Sequence, residues 1–314
     1  MSAGPVAVLG GSGFLGGHVV RGLRAAGLET ASLSRREGCD LLDSAGFTGA
    51  LARLRPRAIV NCAAHTGSVH YVTRRAADVI RDNALMAVNL YEGVARSCPE
   101  APVINPLSNC SYPGAAATQV ESAWQDGPLH DSVVAYGAPR RLLHALALSY
   151  RRQHGVRSVN WLVPNAYGPG DATDPDRVHA LDGIVIRMLR AQKRGETSFT
   201  IWGSGRPVRE WVYVEDAAAI LVRSLGIEEQ MDPLNLAQNR GHSIADIARN
   251  VALRLGYRVA LTFDTALPDG APVKVLDDRR FRALFPDFRF TPLEEGIART
   301  IEYYRQVLKP EGAA

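Results

Sequence analysis

The chain has 314 residues, 46% hydrophobic and 22% charged, with a net charge of +4; the length suits about two domains and the balance an ordinary globular protein, which excludes a disordered tail, a collagen and a disulfide-stapled miniprotein. No apolar run approaches the ~18 to 20 residues that cross a bilayer, and the first residues lack a basic stretch followed by an apolar core, so a cytoplasmic protein without membrane contact is expected. The basic residues come as doublets such as Arg35-Arg36 and Arg140-Arg141, which suits small anionic ligands better than a nucleic acid.

Val6 to Leu9 reads as a short apolar strand ending in glycines. His18 to Ala26 has apolar Val19, Val20 and Leu23 at helical spacing, with Gly27 as its C-cap. Thr30 to Leu33 and Ala58 to Val60 are the next strands. Val79 to Ala95 reads as a long helix, Val103-Ile104 opens a strand, Arg141 to Gln153 is helical, and Ser158 to Val163 is again a strand. This alternation predicts an α/β fold, a doubly wound parallel sheet with helices on both faces. Glycine, proline and aspartate crowd residues 164–175, where the character changes. Beyond them come a helix (Ile184 to Ala191), a strand (Ser198 to Trp202) and a capping box at Ser243 opening a helix to about Leu255. These predict a smaller C-terminal α/β lobe. The expected division is 1–164, completed by about 210–237, for nucleotide binding, and 165–209 with 238–314 for the lobe.

Gly10, Gly13 and Gly16 space a turn between the first strand and the first helix. Glycines serve there because the backbone turns tightly, a pyrophosphate approaches it, and the helix packs on the strand. A Rossmann-type dinucleotide site is therefore expected. The second strand ends Ser32-Leu33-Ser34-Arg35-Arg36 without a carboxylate, and Glu37 falls late. Arginines at that position accept a 2′-phosphate, so NADP is the expected cofactor. Cys39, Cys62, Cys98 and Cys110 form no CxxC pair, and the histidines lack metal-ligand spacing, so no metal is expected. His65 and His70 are candidates to border the active site.

Further segments carry a resemblance. Asp40-Leu41-Leu42-Asp43 is similar to an adenine-side segment, and Asn61-Cys62-Ala63-Ala64 to the turn after a fourth strand. Tyr136, then Asn165-Ala166-Tyr167-Gly168-Pro169, then Gly203 to Trp211 with Val214 and Asp216 follow in order. Together they resemble the extended short-chain dehydrogenase/reductase family. Ser108 to Pro113, His179 ahead of an apolar helix reaching Arg187, Trp202 to Arg209, and Pro268-Asp269-Gly270 with Pro272 and Lys274 resemble its GDP-L-fucose synthase branch, over about residues 5–300.

The resemblance implies an NADP-dependent nucleotide-sugar epimerase/reductase acting on a 4-keto sugar, GDP-linked as in that branch. It implies a cofactor held by Gly10, Gly13, Phe14, Leu15, Gly16, Arg35, Arg36, Asp40, Leu41, Ala63, Ala64, Tyr136, Arg140 and Asn165. The substrate would meet Asn165, Arg187, Trp202, Arg209 and Lys274, the three cations among them holding its pyrophosphate. Ser108, Cys110, Tyr136, Arg140 and His179 would be catalytic. Protons flanking a ketone are acidic, and epimerisation needs a base on one face and an acid on the other; Cys110 and His179 match those positions. Ser108 would hydrogen-bond the carbonyl and Tyr136 would donate a proton to it. Asp216 reads as the cap of a helix over 217–225.

The chain departs from the family at Arg140, where a lysine is usual, and at Val273, where an arginine is usual. A guanidinium keeps the charge but is planar, wide and never neutral. Pro139 is tolerable if it falls in the first turn of its helix. Two other readings stay open: an epimerase with impaired reduction, and a non-catalytic NADP-binding sensor. A homodimer is expected through a four-helix interface using Val79, Met86, Leu90, Leu142, Leu146 and Ser149.

Overall fold

The computed structural model describes residues 4–308 except 117 and 268; the readings that touch Met1 to Ala3, Ala117 and Pro268 lie outside the described residues. β1 (Val6–Leu9) is buried at every position, as a parallel strand covered on both faces must be. It is followed by α1 (Phe14–Ala25), β2 (Thr30–Leu33), α2 (Ser44–Leu54), β3 (Ala58–Asn61), α3 (Val69–Arg74), α4 (Ala76–Ser97), β4 (Val103–Ser108), α5 (Val134–His154) and β5 (Ser158–Val163). Next come β6 (Asn165–Tyr167), α6 (Ala180–Lys193), β7 (Ser198–Trp202), β8 (Val208–Tyr213), α7 (Val214–Arg223) and β9 (Gln230–Asn235). The chain finishes with β10 (Gly241–Ser243), α8 (Ile244–Leu255), β11 (Ala260–Asp264), β12 (Val273–Lys274), α9 (Arg279–Leu284) and α10 (Leu293–Val307).

The main sheet runs β2-β1-β3-β4-β5-β9 with every pairing parallel. The chain leaves β1 toward β2 on one side and returns to β3 on the other. A crevice therefore opens at the carboxyl ends of β1 and β3, where open parallel sheets bind ligands. Leu9, Phe47, Leu90 and Leu107 belong to the apolar cluster on one face, and Val8, Leu23, Trp161 and Leu221 to that on the other. On the first of these faces runs a polar line. Asn61 donates to Asn105 at 3.2 Å, Asn105 donates to Asn160 at 3.0 Å, and Asn160 donates to the Met231 carbonyl at 2.9 Å.

A second sheet joins β6 and β12 in parallel to β8, with β10 antiparallel to it. β7 and β11 pair apart from it. Ile184, Trp211, Ile247 and Ile297 gather α6, β8, α8 and α10 around a third cluster. Ser243 caps α8 as its sequence suggests, accepting the Asp246 N–H at 3.0 Å.

Several expectations are corrected. α1 opens at Phe14, inside the glycine motif, because Gly13 is extended and already serves as N-cap. α4 and α5 also begin earlier than their apolar periodicity shows, and α2 and α3 have no counterpart in the sequence reading. The turn Asn61 to Ala64 follows the third strand, since the sheet ends at β2 and residues 39–43 form no strand. Pro139 is the sixth residue of α5, beyond the first turn, so the helical donor to the Ala135 carbonyl is lost. Asp216 lies inside the first turn of α7 and caps nothing there; its carboxylate accepts the Thr291 N–H at 2.7 Å and hydroxyl at 3.0 Å. Val79 and Leu90 are fully buried within the chain and are not accessible to a partner.

Candidate active site

The β1–α1 turn is shaped for close backbone approach. Gly10 has φ +70°, and a Cβ there would lie 2.9 Å from the Ala63 backbone. A Cβ on Gly16 would meet the Gly10 carbonyl oxygen at 2.2 Å. The turn is thus pressed against Ala63, at the N-terminus of α1, and its glycines fit a dinucleotide pyrophosphate. Leu15 packs partly into the core, whereas the Phe14 ring stands 5.6 Å from the His179 ring, joining this turn to the start of α6.

Arg35 and Arg36 are exposed on a 3₁₀ turn past β2. Glu37, late in sequence, folds back to the strand end. Its carboxylate accepts the Ser32 hydroxyl at 2.8 Å and the Ser34 hydroxyl at 2.5 Å, and Ser12 donates to Ser34 at 2.9 Å. Asp40 accepts the Leu42 N–H, and Leu41 is buried in the core with its carbonyl held by Asn89.

Ser108 ends β4, and its hydroxyl oxygen accepts the Cys110 N–H at 3.1 Å. The Lys274 ammonium donates to the Cys110 sulfur at 3.4 Å. β12 pairs with β8 so that Lys274 stands opposite Arg209, which puts two cations beside one thiol. Burial alone would push that thiol up, but the Lys274 charge, the Ser108 hydrogen bond and the Arg209 charge outweigh it and hold Cys110 below the usual range. Burial pushes Cys62 up to about 12 and Cys98 up to about 11, and raises Cys39 as well. Cys110 alone of the four is tuned toward thiolate. Glu210 supports this edge, accepting the Leu276 N–H at 2.9 Å and the Gln238 N–H at 2.5 Å from within the core.

His179 occupies the N-cap position of α6. Its Nδ1 lies 2.9 Å from Asp171 Oδ2, and the same oxygen accepts its backbone N–H at 2.7 Å. Burial works against an imidazolium, but the Asp171 bond and charge prevail and raise the His179 pKa. Cys110 is near enough to act on the same charge. The charges of Cys110 and His179 thus act on one another, with Ser108 hydrogen-bonded to the Cys110 N–H.

Tyr136 and Arg140 sit one turn apart on α5. An Arg140 amino group donates to the Tyr136 hydroxyl at 3.1 Å and reaches Asn83 at 3.4 Å, while the guanidinium lies 4.7 Å from the tyrosine ring centroid. Arg140 is buried, and its Nε–H has no partner among the described residues. Asn83 accepts the His65 N–H and donates to the His65 carbonyl, tying the turn after β3 to Arg140. His65 also bridges Asp82 and the Tyr71 hydroxyl, each at 2.8 Å. His70 is exposed on α3.

The remaining candidates lie around the second sheet. Arg187 is held between Phe199 and an exposed Trp202, with its guanidinium 4.9 and 4.8 Å from their ring centroids. Asn165 begins β6, half-buried, opposite Trp211. Arg209 donates to its neighbour's carbonyl at 2.8 Å. Lys274, expected on a pyrophosphate, has its ammonium 3.4 Å from the Cys110 sulfur.

Sequence reasoning missed Asp171, Asp182, Asn83 and Glu210. Asp171 follows the Asn165 to Pro169 motif by two residues, and nothing in its glycine- and proline-rich surroundings signals that it is buried. Asp182 is fully buried in the first turn of α6. It accepts the Gly168 N–H at 3.2 Å and the Tyr304 hydroxyl at 3.2 Å.

Residues 6–237 match the model of the NAD dependent epimerase/dehydratase family. Curated relatives include the GDP-L-fucose synthase of Dictyostelium discoideum, 26% identical over 95% of this chain and 94% of that protein. That of Sinorhizobium fredii is 29% identical over the same shares. Among solved structures, a GDP-L-fucose synthetase from Naegleria fowleri bound to NADP has a TM-score of 0.85 at 24% identity, covering 98% of each chain. A GDP-6-OMe-4-keto-L-xylo-heptose reductase from C. jejuni has a TM-score of 0.86 at 18% identity, covering 98% and 99%; at these identities the structures establish the shared fold. The chain therefore belongs to the NAD dependent epimerase/dehydratase family and is an enzyme of the extended short-chain dehydrogenase/reductase type.

Proposed function

We propose that the protein is an NADP-dependent epimerase/reductase of a nucleotide-linked 4-keto sugar, with GDP as the nucleotide. The observation that carries this reading is the pair of oppositely tuned groups, a thiol drawn toward thiolate by Lys274 and an imidazole drawn toward its cation by Asp171. One can take a proton from a carbon flanking the ketone while the other returns one on the opposite face. Ser108 and Tyr136 would hold the ketone oxygen, and Tyr136 would supply its proton. The dinucleotide, when bound, supplies the hydride. Gly10, Gly13, Phe14 and Gly16 with Ala63 and Ala64 would hold its pyrophosphate side, and Arg35 and Arg36 a 2′-phosphate. Arg187, Trp202 and Arg209 would hold the sugar nucleotide, with Asn165 facing it. The names of the relatives support GDP and NADP.

In this reading, 1–164 with about 210–237 binds the dinucleotide, and 165–209 with 238–314 binds the sugar nucleotide. The protein works in the cytoplasm as a homodimer. α4 and α5 lie side by side and expose Leu85, Val88, Leu142 and Leu148, a face suited to a second copy. Incubation with GDP-4-keto-6-deoxymannose, NADPH and deuterated water should give NADPH loss and deuterium in the sugar. Neither signal, with this and other nucleotide 4-keto sugars, would refute the proposal.

Arg140 favours a second reading, in which epimerisation is intact and reduction slow. One guanidinium amino group is shared between Tyr136 and Asn83, and the guanidinium lies over the ring it should only assist.

A further inference from the structure

Asp171 and Asp182 bring two carboxyl groups to the N-terminus of α6, both buried. Burial, reinforced by the charge of Asp171, raises the pKa of Asp182 well above the carboxylate range. Its oxygens accept the Gly168 N–H and the Tyr304 hydroxyl and make no bond to His179. Asp171 stands ahead of the helix N-terminus, where a carboxylate is favoured, and one of its oxygens meets both His179 N–H and Nδ1.

This arrangement has a chemical consequence for the imidazole. A carboxylate oxygen only accepts, so neutral His179 carries its proton on Nδ1 and presents a bare Nε2. The Phe14 ring packs beside the imidazole and limits its rotation. Besides the two aspartates, Cys110 faces His179, and Lys274 and Arg209 face Cys110.

We propose that Asp171 is the positioning residue of the His179 acid–base group. The proposal rests on the epimerase reading of the site. In the step concerned, the carbon–hydrogen bond beside the ketone breaks and a bond from Nε2 to that proton forms. The electron pair passes into the enolate, and the Nδ1 proton stays on the bond to Asp171. In the reverse direction Nε2 returns its proton to carbon and the enolate pair reforms the bond.

The test is a histidine NMR titration of the enzyme without substrate, combined with solvent-deuterium incorporation into GDP-4-keto-6-deoxymannose. In Asp171→Asn the His179 pKa should fall by about 1 or more, and incorporation should slow by about 10²-fold in kcat with little change in KM. Its pH profile should move with the NMR titration. Asp171→Glu, which keeps the charge and guards against a folding defect in the amide variant, should keep the raised pKa yet exchange more slowly. Asp182→Asn, which removes no hydrogen bond to His179, should lower the His179 pKa by less than Asp171→Asn does. An unmoved His179 pKa in Asp171→Asn, or an equal fall in Asp182→Asn, overturns the assignment. So does normal exchange in Asp171→Asn while His179→Gln is inactive. Normal exchange in His179→Gln would instead discard the epimerase reading, and this proposal with it.

Discussion

Lys274 and Cys110 are 164 positions apart in sequence, yet the ammonium donates to the sulfur at 3.4 Å. The contact depends on a two-residue strand, β12, aligned beside β8 and on the Glu210 carboxylate that receives the Leu276 N–H. The geometry places the Lys274 charge where it acts on the Cys110 thiol.

Lys274→Met should therefore raise the Cys110 pKa, since burial would then oppose the thiolate with less compensation. Iodoacetamide labelling of Cys110 as a function of pH should move its midpoint upward, and deuterium exchange at neutral pH should fall about tenfold or more. An unmoved labelling midpoint would show that Lys274 does not tune the thiol.

Arg140→Lys should accelerate single-turnover NADPH oxidation and leave deuterium exchange almost unchanged. A compact ammonium would release the Tyr136 ring from the guanidinium that now covers it at 4.7 Å. Misplacement near 1 Å can cost about 10²-fold in a geometry-sensitive step, which sets the upper range of the gain. Slower reduction in Arg140→Lys would mean that the buried site is built around the guanidinium.

Cofactor choice can be read at the end of β2. Arg35→Ala and Arg36→Ala should each weaken NADPH binding by about 1.5 to 3 kcal/mol wherever that side chain meets the 2′-phosphate, with NADH little affected. Glu37→Gln should tighten NADPH selectively, because it removes a negative charge held at the strand end by Ser32 and Ser34. Calorimetry with both dinucleotides distinguishes these outcomes, and equal affinities in the unaltered enzyme would contradict the NADP assignment.

Two buried histidines give the stability its acid limb. His18 is held by the Pro169 carbonyl and His144 by that of Met231, and burial lowers both pKa values from 6.5. Below about pH 6.5 the unfolded chain takes up protons that the folded chain refuses, so folding weakens as pH falls toward the lowered native values. Each tenfold loss of proton affinity on folding corresponds to about 1.4 kcal/mol per site. His144→Gln should flatten the fall of Tm between about pH 7 and pH 5, the window below the unfolded histidine pKa; an unchanged slope would remove His144 as a cause.

The apolar face of α4 and α5 predicts its own test. Val88→Glu with Leu142→Glu, both at exposed positions, should leave the fold intact and yield a monomeric mass by light scattering where the unaltered protein is dimeric. Burying two carboxylates against a partner would be too costly for the pair to persist.

The parts of the fold legible in sequence are those with local signals. β5 and β7 match the structure at both ends because apolar runs bounded by turn residues announce them. α2 carries two glycines and buries just Phe47 and Leu51, so its periodicity is too faint to read. Cys110 and His179 were named as candidates through the resemblance. Asp171 was not, because an aspartate in a glycine- and proline-crowded turn looks like a solvated loop residue until the chain folds back over it. Val79 and Leu90 were assigned to a partner because α4 carries apolar residues on more than one face, and sequence does not say which face the sheet takes.

The asparagine line through Asn61, Asn105 and Asn160 bears on where the catalytic groups end up. β1, β3 and β5 are buried on both sides, so their apolar pattern has no inside or outside to lock one strand against the next. A strand displaced by two residues would bury equivalent hydrocarbon, but it would strand an amide without its partner in the interior. The side-chain amides thus act as an alignment gauge. Ser108 and Val163 each lie three residues beyond their own asparagine and pair as the last residues of β4 and β5, so these two strands end level. The position of Ser108, and of Cys110 after it, is set from the middle of the sheet by buried amides.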